Sequence, residues 1–138
     1  MPTAPYPILV VDDDQDNCDL LAEALSNRGY LIKVVPSGEL ACQLAREQQF
    51  SLIISDIQMR PVSGIELLKW FRKRFPTLPV VLITAFGSAH IQRNVMDHGA
   101  FHYLSKPINL DELFVVVDRA LRHEDDLQDC RYPFRNNS

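Results

Sequence analysis

The chain has 138 residues, 46% of them hydrophobic and 23% charged, which suits one domain with a full core and is short for two ordinary ones. A net charge of −4 and a pI near 5.5 argue against direct binding to nucleic acid, which depends on clustered Lys and Arg. No apolar run is long enough to cross a bilayer, Met1 to Tyr6 lack the features of a secretory signal, and Cys18, Cys42 and Cys130 have neither disulfide nor zinc spacing, so a cytoplasmic protein is expected.

Pro7 to Val11 is a short β-branched run ending on Asp12, Asp13 and Asp14, and it reads as a strand buried on both faces. Cys18, Leu21, Ala22 and Leu25 then recur at helical spacing, with Gly29 as the stop. Leu31 to Val35 is a second strand, and Ser37 caps a helix whose inner face is Leu40, Ala41, Leu44 and Ala45. The third strand, Ser51 to Asp56, stops on a single carboxylate. Ser63 and Glu66 have capping-box spacing for a helix carrying Leu67, Leu68, Phe71 and Phe75 up to Pro76. Its basic residues Lys69, Arg72, Lys73 and Arg74 read as a solvated helical face.

Pro79 to Ile83 is a fourth strand running into Thr84 and Ala85. Ser88 to His98 is a thin helix with only Ile91, Val95 and Met96 to bury, stopped by Gly99. Ala100 to Leu104 is the fifth strand, and Asn109 with Glu112 caps a last helix with Leu110, Leu113, Phe114, Val117 and Leu121 inward. Val115 lies off that stripe. Strands alternating with helices predict a flavodoxin-like, doubly wound α/β sandwich of three layers, with parallel strand order 2-1-3-4-5. The expected division is an extension over residues 1–6, a domain over 7–122 and an acidic tail over 123–138.

In such sheets ligands bind beyond the carboxyl ends of the strands, at the point where strand order reverses. Asp12, Asp13 and Asp56 would meet there. Carboxylates crowded together are tolerated when a hard cation is shared among them, and magnesium suits few protein oxygens and leaves room for phosphate. A carboxylate can also be the nucleophile in phosphoryl transfer, which makes Asp56 the candidate. The transferring group then needs a hydroxyl or amide donor and an ammonium, which Thr84, the Ala85 amide and Lys106 would supply.

These motifs, from Ile8-Leu9-Val10-Val11-Asp12-Asp13-Asp14 through Asp56-Ile57-Gln58-Met59 and Ile83-Thr84-Ala85-Phe86-Gly87-Ser88 to Tyr103-Leu104-Ser105-Lys106-Pro107, resemble in order the receiver domain of bacterial two-component response regulators. The likeness is to CheY-like domains, and the Ile-Thr-Ala-Phe-Gly-Ser stretch is most similar to receivers of the NtrC type. The resemblance implies that Asp56 accepts a phosphoryl group from a histidine kinase or histidine phosphotransfer protein. It implies magnesium, with manganese as a substitute, on Asp12, Asp13, Asp56 and the main-chain carbonyl of Gln58. Thr84 and Lys106 would bind the phosphoryl group, Thr84 and Tyr103 would form the switch, and the Lys106-Pro107 bond would be cis. A downstream protein would dock on the Ser88 to His98 helix, the fifth strand and the last helix, and a phosphorylation-dependent homodimer is a further mode. One departure is Arg60, where the family usually has Pro after the Met that is here Met59, so the loop after the acceptor is expected to be shaped differently locally.

Two other readings compete. A magnesium-dependent phosphatase would need a second carboxylate close after the nucleophile, and Ile57, Gln58, Met59 and Arg60 provide none. A receiver-like module that docks partners without being phosphorylated would not need the full set of site residues. His90, His98, His102 and His123 show no ligand pattern with a carboxylate and read as surface or structural.

Overall fold

Ile8 and Val10 belong to one apolar layer and Leu9 and Val11 to another, so the first strand is buried on both faces. The third strand divides in the same way, Leu52 and Ile54 against Ile53, and so does the fourth, Val81 and Ile83 against Val80 and Leu82. Strands without a polar face require helices above and below them. The computed structural model, which describes residues 4–85 and 87–130 with 123–130 as backbone alone, supplies those helices.

In chain order the elements are β1 (Ile8–Val11), α1 (Gln15–Asn27), β2 (Ile32–Val35), α2 (Gly38–Glu47), β3 (Leu52–Asp56), α3 (Gly64–Arg74), β4 (Val80–Thr84), α4 (Ala89–Asp97), β5 (His102–Ser105) and α5 (Leu110–Cys130). All strand pairs are parallel, and the sheet order is β2-β1-β3-β4-β5. α1 and α5 cover one face through Leu21, Leu25, Leu113 and Val117, and α2, α3 and α4 cover the other through Ala41, Leu67, Phe71 and Val95. The expected three-layer, doubly wound sandwich is what forms.

The helix boundaries follow local chemistry. Asp14 caps α1 by accepting from the Asp16 amide, Ser37 caps α2, and Ser63 with Glu66 makes a reciprocal capping box on α3. Ser88 caps α4, and Asn109 accepts from the Glu112 amide at the start of α5. α1 and α4 are each followed by a glycine at φ +95°, Gly29 and Gly99, a conformation that side-chain-bearing residues rarely adopt.

Three side chains expected inside lie at the margins of their stripes: Leu40, Met96 and Leu110 are 44%, 40% and 36% exposed. α4 therefore anchors itself through Val95, with Ile91 only partly covered. Val115 is exposed, as its position off the stripe implies. Tyr6, ahead of the first strand, is tied down, since its amide donates to Ser51 Oγ at 3.0 Å. α5 continues as helix past Arg122 to Cys130, and residues 131–138 of the expected tail lie outside the described residues.

Candidate functional site

Strand register brings the site together. Val11 pairs with Ser55, Asp56 with Ile83, and Thr84 with Ser105. Asp12, Asp56, Thr84 and Lys106 therefore follow one another along the carboxyl ends of β1, β3, β4 and β5. Carboxylate oxygens of Asp12, Asp13 and Asp56 lie within 4.8 Å of one another, and this is the cluster of potential metal ligands found among the described residues. None of the described histidines joins it. The backbone amide of Asp14 donates to Asp12 Oδ1 at 2.9 Å, so the turn after β1 fixes that carboxylate while Asp14 itself turns away to cap α1.

Asp12 and Asp56 are buried and Asp13 is exposed, which puts an open side on an otherwise enclosed cup. Burial holds the Asp12 carboxyl above its ordinary pKa, and the charge of Asp56 adds to this; the Asp14 amide, Lys106 and Asn17 pull it down by less. Asp56 accepts from the Gln58 amide on Oδ1 at 3.1 Å and from Lys106 Nζ on Oδ2 at 3.0 Å. For Lys106 burial acts downward, yet the hydrogen bond and charge of Asp56, with Asp12 and Asp14 behind it, leave the ammonium above its ordinary pKa. It is fully charged at neutral pH. The donor set of hard carboxylate oxygens, two of them buried and facing a single ammonium, fits a small divalent cation such as magnesium.

Lys106 reaches the cup because its own amide donates to the Thr84 carbonyl at 2.8 Å, and its bond to Pro107 is cis. The loop after Asp56 is held by Gly64, whose amide donates to the Ile57 carbonyl at 3.0 Å. A side chain at Gly64 would collide with the Asp56 carbonyl and with Ile57 Cα. In the same loop the Arg60-Pro61 bond is also cis. Tyr103 is half-buried, and its hydroxyl donates to Gln92 Oε1 on α4 at 3.0 Å.

Two residues play parts that spacing did not reveal. The family resemblance implies a role for the main-chain carbonyl of Gln58, but its side chain also acts, crossing to β4. Its carboxamide bonds Thr84 Oγ1, with Nε2 at 2.9 Å and Oε1 at 3.2 Å, and its Oε1 accepts from the Ala85 amide at 3.4 Å. Gln92 fastens Tyr103 to α4. A polar residue two places after a strand's last carboxylate is the one sequence signal for the former, and nothing in the pattern marks the latter.

A parallel α/β sheet with an acidic cup and a lysine at its switch point defines a class of phosphate-handling or cation-handling domains. Over residues 8–118 the chain matches the response regulator receiver domain family, and it belongs to that family. It is 37% identical over 116 residues to the transcriptional regulatory protein ZraR of Escherichia coli (strain K12), an alignment that covers 84% of this chain and 26% of that protein. It is 33% identical to the DNA-binding transcriptional regulator NtrC of Proteus hauseri, over 84% of this chain and 24% of that one. The chain thus spans about a quarter of the length of these relatives. Among solved structures, the receiver domain of NtrX from Brucella abortus superposes with a TM-score of 0.79 at 33% identity, covering 83% of this chain and 98% of that one. A receiver domain protein from Clostridium thermocellum superposes with a TM-score of 0.84 at 25% identity, covering 88% and 98%. The protein is a receiver of two-component signalling with a likeness to the NtrC type.

Proposed function

We propose that Asp56 is the phosphoacceptor, and that phosphohistidine on a histidine kinase or histidine phosphotransfer protein is the donor. The observation that carries this reading is the meeting of Asp56 with Asp12, Asp13 and Lys106 at one end of the sheet. An Asp56 carboxylate oxygen attacks phosphorus, the phosphorus–nitrogen bond of the donor breaks, and its electron pair leaves with the imidazole, which is reprotonated from solvent. The product is a mixed anhydride on Asp56. Lys106 stays beside the acceptor and neutralises charge on the transferred oxygens, while the Thr84 hydroxyl and the Ala85 amide donate to them. Asp12, Asp13, Asp56 and the main-chain carbonyl of Gln58 would hold magnesium, or manganese in its place. Bound there, the cation would shield phosphoryl oxygens from the approaching carboxylate.

Readout follows from the same donors. Drawing Thr84 toward the new charge empties space beside Tyr103, whose inward turn would release its hydroxyl from Gln92 and repack α4, β5 and α5 for a protein target or a second phosphorylated copy. Water attack on the phosphorus returns Asp56 and inorganic phosphate, so the chain acts on its own modification and turns over no separate substrate. Residues 7–122 carry the whole of this machinery.

Intact-mass measurement after incubation with phosphoramidate and magnesium tests the assignment. One added phosphoryl group is expected on the wild type and none on Asp56→Asn. Equal modification of that variant would place the acceptor elsewhere.

A further inference from the structure

We propose that the ends of α2 and α3 form a second binding site, which takes an acidic peptide segment of a partner protein. Trp70 lies half-buried on α3, edge-on to Phe71 at 5.1 Å and tilted against Phe75 at 6.0 Å. Two exposed guanidiniums converge on its ring: Arg74 Cζ is 4.6 Å from the centroid and Arg46 Cζ, from the last turn of α2, is 5.5 Å away. Ion pairs among the described residues join Lys106 to Asp56 and Arg122 to Asp118, and neither of these two arginines has a carboxylate partner there. Helix C-termini favour cations, which accounts for basic residues in the last turns of α2 and α3. It does not account for two like charges drawn to one ring, where they repel each other.

A cavity of about 340 Å³ opens beside Arg74, between Phe50 and Phe75, with Gln48, Gln49 and Thr77 as its polar lining. An acidic peptide satisfies both features: a carboxylate between guanidiniums shaped to bind it in bidentate fashion, and a neighbouring apolar side chain in the cavity. The net charge of −4 opposes a long polyanion, whereas one or two carboxylates feel the paired arginines within a Debye length. The cavity borders Phe50 and Leu78, just before β3 and β4, so it lies at the end of the sheet opposite Asp56 and Thr84.

Trp70 is the chain's one tryptophan, so tryptophan emission reports this site alone. The probe is acetyl-Glu-Phe-Glu-Leu-Glu-amide, titrated without phosphodonor so that the result is independent of Asp56 chemistry. The expected result is a saturable emission change that weakens as salt is raised and is about tenfold weaker or more in the Arg46→Gln/Arg74→Gln double variant. Both arginines are exposed, and circular dichroism checks that the variant folds. The proposal is overturned by no saturable change, by equal binding of the peptide with Gln in place of Glu, by undiminished binding to the double variant, or by inorganic phosphate matching the peptide, which would mean an adventitious anion site only.

Discussion

Replacing Gln58 with Ala should make the protein easier to phosphorylate. The carboxamide holds the Thr84 hydroxyl and the Ala85 amide, the two donors assigned to the phosphoryl oxygens, so an incoming group must displace it. The bonds to Thr84 are of ordinary length and the one to Ala85 is long at 3.4 Å, so together they stabilise the resting site by about 1 kcal/mol net. Released in the transition state, that energy corresponds to a rate roughly fivefold higher. Loss of the same bonds lowers fold stability by about 1 kcal/mol. The assay is the time course of mass gain with phosphoramidate and magnesium, read beside urea unfolding. Gln58→Met keeps the length and removes the bonds, so it should match Ala. Gln58→Glu places an anion beside Asp56 and should be slower than wild type. If Ala and Met variants that fold normally are phosphorylated no faster than wild type, the carboxamide does not compete for those donors and the reasoning fails.

Magnesium at about 100 times its Kd should add about 2.7 kcal/mol of stability and raise Tm by roughly 5–15 °C, and Asp13→Asn should abolish most of that shift in a thermal melt. Gly64→Ala forces a Cβ to 2.7 Å from Ile57 Cα and should cost about 1–3 kcal/mol in urea unfolding; a neutral outcome would mean that the loop is not held there. Burial, followed by the charge of Asp118 and a 3.3 Å hydrogen bond to it, holds the Tyr30 phenol above its ordinary pKa of 10.0. The fold thus favours the protonated phenol, and the resulting stability is full below the unfolded value and lost as pH rises through the folded one. Urea midpoints should fall more steeply in wild type than in Tyr30→Phe as pH rises above about 10. Burial and nearby acids push the Cys18 thiol to about 11, so alkylation at about pH 8 followed by peptide mapping should find Cys18 unmodified unless the protein is unfolded.

Most of the architecture was legible because β1, β3 and β4 bury both faces and so read as apolar runs, and because Gly29, Gly99 and Pro76 punctuate the helices. The site was legible to the extent that it is built from strand ends, whose position in the sheet depends on topology alone. Where side-chain direction matters the pattern fell silent. Leu40, Met96 and Leu110 fit their stripes by periodicity yet face solvent, since a helix's tilt on the sheet decides which edge of the stripe is covered. The reach of Gln58 across to Thr84 depends on the path of the 57–63 loop, which no spacing rule encodes.

α4 is moored to the rest of the molecule by one fully enclosed side chain, Val95, and by the bond between Gln92 and Tyr103, while Arg93, Met96 and Asp97 look outward. A helix held by so few contacts can be re-lettered along its outer surface without disturbing the acidic cup at the strand ends. On the proposed function, address and chemistry are separable: one scaffold would keep its phosphorus handling while changes at Arg93, Met96 and Asp97 redirect the message to a different listener.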